Sequence, residues 1–268
     1  EHVALKDVSF SVERGEFIGV IGHTGSGKST LMQHMNGLLK PTSGEILLDG
    51  KDIWSDKKLT RESRFRVGLV FQYPEYQLFE ETCAKDISFG PKNMGLSKEE
   101  VKERVLKAAQ FVGFSRELLN KSPFDLSGGQ KRRCAIAGVM AMLPEVLILD
   151  EPTAGLDPQG RKELMEMIEA YRKETGATVI IVSHSMDDMA RAADRILVLN
   201  KGSLAINGSV KEVFSRTDEL IEMGLNVPVV TSITAKLRTF YPSLSSDIYT
   251  LEDAAEALYE FYEGRNKK

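Results

Sequence analysis

The segment that begins at Gly22 has the residue types and spacing of a phosphate-binding loop. It matches the pattern GxxxxGK[ST] through nine candidate nucleotide-binding residues: Gly22, His23, Thr24, Gly25, Ser26, Gly27, Lys28, Ser29 and Thr30. Glycines let the backbone curl so that its N–H groups point at one anion, and a following helix adds the positive end of its dipole. We expect Lys28 to reach the β- and γ-phosphates, Ser29 to bind Mg²⁺, and Thr30 to support the α-phosphate side. A plain tight turn would explain the glycines but not Lys28 and Ser29 at these offsets.

Two adjacent carboxylates follow the apolar run Val146–Leu149. A continuous apolar run predicts a strand that is covered on both faces, and the carboxyl end of a parallel strand faces a ligand crevice. Asp150 is the candidate ligand of Mg²⁺, and Glu151 is the candidate base that polarises the water attacking the γ-phosphate. The alternative is an acidic turn that is merely solvated, which the presence of a phosphate-binding loop upstream makes the less favoured interpretation.

These residues are positioned by an alternation of short strands and helical segments, which predicts an α/β sheet. The predicted strands are Phe17–Ile21, Val67–Phe71, Val146–Leu149, Val179–Val182 and Ile196–Leu199. Helices are predicted from about Lys28 to Leu39 and from about Gln130 to Met142. Residues 73–143 contain no strong strand, but they contain a predicted helix over Lys98–Val112 that Ser97 and Glu100 would cap. This segment is therefore predicted to be a helical subdomain.

The sequence changes character after Leu225, where prolines interrupt the chain before a final predicted helix that follows Thr250. Apolar residues would form one face of this helix: Leu251, Ala254, Ala255 and Leu258. Three aromatic residues near its end are slightly favoured as core rather than as a self-association surface: Tyr259, Phe261 and Tyr262. The predicted domains are therefore residues 1–225 and a small helical appendage over residues 226–268.

The composition is that of an ordinary globular protein. Thirty-five Lys and Arg residues against thirty-nine Asp and Glu residues give a formal charge of -4, so no positive field favours nucleic acid as a partner. Cys83 and Cys134 are far apart in the sequence, which argues against a disulfide framework or a zinc site and favours a reducing compartment. The longest apolar runs are strand-sized and too short to span a bilayer.

The run Leu126-Ser-Gly-Gly-Gln130 is difficult to explain as ordinary local structure. It places two glycines before a helix, where backbone donors could bind a second anion although the chain already has a phosphate loop. With this run, the chain resembles the ATP-binding cassette (ABC) ATPases, whose signature motif is LSGGQ, over at least Val3 to Asn207. The resemblance implies an α/β P-loop NTPase of the ABC ATPase fold, with a RecA-like core, a helical subdomain and a small C-terminal helical appendage.

The same resemblance implies roles for further residues in binding and hydrolysing ATP with Mg²⁺. Gln72 matches the Q-loop glutamine that touches Mg²⁺, Asp157 matches the D-loop, and His184 matches the switch histidine that hydrogen-bonds the γ-phosphate. Two cassettes would sandwich two ATP molecules, each held by one chain's loop and by the facing chain's signature. Ser127, Gly128 and Gly129 of the signature would then act in trans, and Gln130 is a further candidate nucleotide-binding residue. ATP would favour a closed pair, and hydrolysis would reopen it.

The residues around Gln72 resemble more narrowly the second ATPase type of energy-coupling factor vitamin transporters. The resemblance rests on the runs Phe71-Gln-Tyr-Pro-Glu-Tyr-Gln-Leu-Phe-Glu-Glu-Thr82 and Asp86-Ile-Ser-Phe-Gly-Pro91. It implies a peripheral protein at the cytoplasmic face of the membrane, paired with a sister ATPase or with a second copy. A transmembrane scaffold subunit would dock near Pro74–Thr82, and substrate-capture membrane subunits would take part indirectly. The carboxylates of Glu75, Glu80 and Glu81 could meet cationic scaffold residues, or they could form a solvated acidic surface.

Three alternatives differ in what the ATPase serves. One is a cassette of another importer, for a metal ion or another solute. A second is a soluble ABC ATPase without a transporter, which usually carries a long coiled-coil insertion or two cassettes in one chain. A third is a P-loop kinase, which would have no use for the signature or the D-loop; phosphorylated product rather than free phosphate would identify it.

Overall fold

The computed structural model describes residues 3–266, and the side chains of residues 3–262. Its strands are β1 (Phe17–Ile21), β2 (Leu47–Leu48), β3 (Lys51–Asp52), β4 (Val67–Val70), β5 (Val146–Asp150), β6 (Thr178–Val182), β7 (Arg195–Asn200) and β8 (Ser203–Ser209). Its helices are α1 (Lys28–Met35), α2 (Lys57–Arg66), α3 (Cys83–Ile87), α4 (Phe89–Asn93), α5 (Lys98–Phe111), α6 (Arg116–Asn120), α7 (Gly128–Met140), α8 (Pro158–Thr175), α9 (Met186–Ala192), α10 (Val210–Phe214), α11 (Thr217–Glu222), α12 (Val229–Arg238) and α13 (Leu251–Asn266). Short 3₁₀ helices cover Pro74–Gln77 and Pro123–Asp125.

The described residues form two compact units. The first unit contains the residues up to Ser11, Phe17–Lys28 and the residues from Ser183 onward. The second unit contains Val12–Glu16 and Ser29–Val182. The predicted division at residue 225 rests on a change in sequence character, and it stays a prediction.

In the second unit, β4, β5 and β6 are neighbouring parallel strands, with Leu69 opposite Ile148 and Leu149 opposite Ile181. Nearly every residue of these strands is buried, as expected for apolar runs that are covered on both faces. Between β4 and β5 the chain forms only helices and connecting segments, as predicted. Helix α5 begins with the predicted capping box, in which Ser97 and Glu100 satisfy each other's backbone N–H groups.

In the first unit, β1 pairs in parallel with β7, and β7 pairs in antiparallel fashion with β8. The predicted strands at β1 and β7 are confirmed, whereas β8 was not predicted. Only Ile206 of β8 is buried, whereas all five residues of β1 are buried. The sequence of β8 therefore lacks the continuous apolar run that predicts β1. The β1 strand leads directly into the phosphate-binding loop.

The C-terminal part of the first unit contains α12 and α13. Its small core consists of Val230, Leu244, Ile248 and Ala254, with Leu237, Ala257 and Phe261 packed against it. The final helix begins at Leu251, as predicted, but of the predicted apolar face only Ala254 is buried. Leu251 and Leu258 are exposed, and of the three aromatic residues only Phe261 packs against the core. Within the described residues, no helix combines the length and the hydrophobicity that a membrane crossing requires.

Candidate functional site

Residues Gly22 to Lys28 of the phosphate-binding loop belong to the first unit and follow β1, whereas Ser29 and Thr30 belong to the second unit. A Cβ atom at Gly22 would lie 2.4 Å from the carbonyl oxygen of Leu199, which real Cβ atoms do not approach. Gly27 has a φ of +100°, and a Cβ atom there would lie 2.7 Å from Leu5 and 2.8 Å from the carbonyl oxygen of Ala4. These two positions therefore require glycine, because both backbone shape and space exclude a side chain.

The interior of the loop presents polar groups. Lys28 is 6% exposed, and its Nζ donates hydrogen bonds to the carbonyl oxygens of Gly22 at 2.7 Å and His23 at 3.0 Å. Ser26 is fully buried, and its Oγ has no hydrogen-bond partner among the described residues. An ammonium and an uncommitted hydroxyl inside a curled backbone are groups that suit a phosphate guest.

The other loop residues lie closer to the surface. His23 is half-buried with its Nδ1 2.8 Å from the carbonyl oxygen of Thr24, while Thr24 and Gly25 are exposed. Ser29, on the first turn of α1, is exposed, and Thr30 is half-buried. Helix α1 ends at Met35, four residues before the predicted end, because Gly37 turns the chain with a φ of +74°.

In the second unit, the two carboxylates stand at the end of β5. Asp150 is the last residue of the strand and is 6% exposed. Glu151 follows with a φ of +51°, a left-handed conformation that costs a non-glycine residue about 1–2 kcal/mol. Its backbone N–H donates to the carbonyl oxygen of Val182 at 3.0 Å, which helps to hold this turn. Such strain persists only where the surrounding structure imposes it, and it clusters at functional sites.

Gln72 lies beside Glu151. Its Nε2 donates a hydrogen bond to Oε2 of Glu151 at 3.1 Å, although the two residues are 79 positions apart in the chain. Tyr73, the next residue, is also left-handed with a φ of +54°. The structure therefore joins two of the predicted site residues across two strained turns.

The three predicted metal ligands, Ser29, Gln72 and Asp150, belong to the second unit. They offer a hydroxyl, an amide carbonyl and a carboxylate, the hard oxygen donors that Mg²⁺ prefers. The hydrogen bond from Gln72 to Glu151 uses the amide nitrogen, so it leaves the amide oxygen for a cation. The chemistry of this donor set therefore fits Mg²⁺.

The run Leu126–Gln130 forms the start of α7. The helix begins at Gly128, two residues before its predicted start at Gln130, and Ser127 is its N-cap, in a capping box with Gln130. Gly128 and Gly129 are exposed, and a Cβ atom at either position would have no atom of another described segment within 4 Å. The turn makes its hydrogen bonds to its own helix and to the preceding 3₁₀ turn, and its glycine backbone faces open space.

The remaining predicted residues flank helices. Asp157 is the N-cap of α8, and its carboxylate accepts a hydrogen bond from the backbone N–H of Gly160 at 2.7 Å. His184 lies in the first unit, exposed, two residues after the end of β6 and just before Ser185, the N-cap of α9. The D-loop and switch roles of Asp157 and His184 stay predictions.

Arg132 is a site residue that the sequence did not reveal. Its side chain is 6% exposed, and it forms a two-bond ion pair with Glu75 at 2.8 and 3.1 Å. Burial raises the pKa of Glu75, but the hydrogen bonds and charge of Arg132 outweigh this effect and lower the pKa below its usual value. The pair is therefore complete at neutral pH and is lost only as the pH falls through that lowered pKa.

This ion pair corrects the expectation for Glu75. Its carboxylate is engaged inside the protein, so it is not a surface group available to a cationic scaffold residue. Glu81 is paired with Lys85 at the surface, and Glu80 is half-buried. Docking near Pro74–Thr82 stays a prediction, which now rests on Glu80 and Glu81 and not on Glu75.

The sequence profile of the family described as ABC transporter matches residues 5–154. A relative from Caldanaerobacter subterraneus subsp. tengcongensis, "Energy-coupling factor transporter ATP-binding protein EcfA2", is 54% identical over 262 residues, which cover 98% of this chain and 92% of that protein.

Two solved structures share the fold. The structure of cbiO1 from Clostridium perfringens, part of the ABC transporter complex cbiONQ, has a TM-score of 0.73 and 43% identity, and covers 82% of this chain and 87% of that chain. The dimeric post-hydrolysis structure of the ATP-binding cassette MJ0796, bound to ADP and Pi, has a TM-score of 0.68 and 29% identity, and covers 77% and 90%. The fold, the phosphate loop and these similarities agree that this chain belongs to the ABC transporter family, as an ATP-binding and ATP-hydrolysing cassette of the energy-coupling factor group.

Proposed function

We propose that this cassette powers an energy-coupling factor importer for vitamins or other micronutrients. It works at the cytoplasmic face of the membrane, paired with a sister cassette or a second copy, and ATP-driven closure of the pair drives transport. The proposal is supported by the EcfA2 relative at 54% identity, by the cbiO1 similarity and by the dimeric state of MJ0796.

The observation that carries the proposal is the open glycine turn at the start of α7. Exposed glycine backbone at a helix N-terminus is a place where a phosphate can approach closely. Outside their own turn and helix, no described residue of the chain comes within 4 Å of a Cβ atom built at Gly128 or Gly129. The chain's own phosphate loop already supplies one anion site, so the second supports a role toward a nucleotide on the facing protomer.

The chemistry follows from the side chains. Lys28 neutralises charge that develops on the transferred phosphoryl group, and His184 hydrogen-bonds the γ-phosphate. Glu151 accepts a proton from the attacking water, while Gln72, hydrogen-bonded to it at 3.1 Å, helps to orient that water. Mg²⁺, held by Ser29, Gln72 and Asp150, would supply electrostatic neutralisation of the phosphates.

The Gly129→Ala variant separates the trans role from folding. In an isolated protomer a methyl group at this position meets open space, and alanine is a better helix residue than glycine, so the melting temperature should be unchanged or slightly higher. In a closed pair the methyl group would stand between the helix and the facing nucleotide. We expect ATP-dependent pairing and ATP turnover to fall at least about tenfold, a loss of about 1.4 kcal/mol in closure.

Size-exclusion chromatography with ATP, phosphate release and thermal melting measure the three quantities. The matched control is Gly138→Ala, because Gly138 lies in the same helix and a Cβ atom there would meet only backbone atoms at 4.0 Å. A glycine with a positive φ, such as Gly113 at +68°, is unsuitable, since alanine there would strain the backbone. Gly138→Ala should keep both pairing and turnover. Full ATPase activity in Gly129→Ala would contradict the trans role.

Detergent extraction of the tagged chain from membranes of its native host tests the importer. We expect it to recover a second cassette and a membrane subunit with several spans. Glu80→Lys with Glu81→Lys should lose the membrane subunit and keep the second cassette, because it reverses charge on the predicted docking segment only. Recovery without any membrane subunit from the unmodified chain would favour a cassette that serves no transporter.

A further inference from the structure

We propose that Arg132 is a positioning residue of the ATPase, which holds the Gln72 turn and the Glu151 turn in a fixed relation to the signature helix α7. The inference rests on the proposed roles of Gln72, Glu151 and the signature. It adds a residue that lies outside the phosphate loop, the signature motif and the catalytic carboxylates.

The guanidinium of Arg132 is almost fully committed to two segments. Nε and Nη2 donate to the two carboxylate oxygens of Glu75, and Nη1 donates to the carbonyl oxygens of Pro152 at 3.1 Å and Ala154 at 2.5 Å. The guanidinium carbon lies 5.8 Å from the centre of the Tyr73 ring. Only the planar fork of arginine can make this set of bonds, because a lysine ammonium is a single point donor.

The anchor points stand next to the two strained residues. Glu75 lies two residues after the left-handed Tyr73, and Pro152 directly follows the left-handed Glu151. Residues held in such conformations relax when their surroundings stop imposing them. Arg132 supplies bonds on both sides, so it opposes relaxation of both turns at once.

The distance that Arg132 controls is the one between Gln72 and Glu151. Their 3.1 Å hydrogen bond joins the two turns directly, and it survives only if the turns keep their relative position. A misplacement of about 1 Å in a catalytic group can cost about a hundredfold in rate. Arg132 also lies on α7 only two residues after Gln130. A movement of the signature on binding a facing nucleotide would therefore shift Arg132 and, through its hydrogen bonds, both turns.

Steady-state ATPase assays of the paired cassette test this role with Arg132→Lys, Arg132→Met and Glu75→Gln. We expect kcat to fall at least about tenfold in each, while the KM for ATP changes by less than about threefold, since the phosphate loop is untouched. The double variant Arg132→Met with Glu75→Gln should be no worse than the worse single variant, because both remove the same link. Arg132→Lys should retain more activity than Arg132→Met.

The matched control is Arg104→Met. Arg104 is a half-buried arginine of the second unit that, like Arg132, donates to a carbonyl oxygen, here that of Met142 at 3.0 Å, which belongs to neither turn. The Arg104→Met variant should keep the kcat of the unmodified protein, even if its melting temperature falls as much as that of Arg132→Lys. If Arg132→Met does not fold, Arg132→Lys and Glu75→Gln decide the question.

Two results would overturn the positioning role: a kcat that falls only in proportion to the folded fraction, or single-variant losses that multiply in the double variant. Glu151→Gln in the same assay separates this failure from failure of the proposed function. An inactive Glu151→Gln beside a fully active Arg132→Lys rejects only the positioning role, whereas an active Glu151→Gln rejects the assignment of the base.

Discussion

The Glu151→Gln variant is expected to bind ATP normally but to hydrolyse it at least about a hundredfold more slowly. A positioned general base contributes about 10²–10⁴-fold to a rate, and an amide cannot accept the proton that the carboxylate would take from water. The amide has the same size as the carboxylate, and it can keep the contact with Gln72 because its oxygen is still an acceptor. Binding groups in the phosphate loop are unaffected.

Phosphate release gives the turnover, and binding of a fluorescent ATP analogue gives the affinity. Because hydrolysis would reopen the pair, the variant should also accumulate as an ATP-bound dimer in size-exclusion chromatography. Glu166→Gln is the control, since Glu166 is exposed on α8 and is paired only weakly with Lys162 at 3.8 Å. Turnover at the unmodified rate in Glu151→Gln would remove Glu151 from the role of base.

The strands that position the site could be predicted because their sequences are unusual. Runs such as Val146–Leu149 and Val179–Val182 contain only β-branched and other aliphatic residues, and such runs predict strands that are covered on both faces. The β8 strand (Ser203–Ser209) was not predicted, because its apolar stretch, Leu204–Ile206, has only three residues and is followed by Asn207 and Gly208, which disfavour strands. Antiparallel pairing with β7 stabilises it instead of its own sequence pattern.

In the candidate site, features that are local in the chain could be predicted, and contacts between distant residues could not. The phosphate loop lies within a few residues of chain, so its fixed spacing reveals it. The bonds from Gln72 to Glu151 and from Arg132 to Glu75 join residues 79 and 57 positions apart. No local rule specifies such a pair, and Glu75 looked like a surface carboxylate because the sequence does not show its buried arginine.

Replacing Lys28 with methionine should weaken ATP binding about a hundredfold and abolish measurable turnover at cellular ATP concentrations. Methionine has nearly the same length and keeps the packing of a side chain that is 6% exposed, so the change removes chiefly the charge. Hydrogen bonds to charged groups contribute about 1.5–3 kcal/mol each, and about 2.7 kcal/mol corresponds to a hundredfold change in affinity. Isothermal titration with a slowly hydrolysed ATP analogue measures this change.

Lys40→Met is the matched control, because Lys40 is exposed a few residues beyond the end of α1. It removes the same charge from the protein and should leave ATP affinity unchanged. If both lysine variants weakened binding equally, net charge would be the cause and not the position of Lys28. An affinity loss confined to Lys28→Met, with an unchanged melting temperature, would instead assign the loss to the ammonium of Lys28 inside the phosphate loop, where it lies beside the carbonyl oxygens of Gly22 and His23.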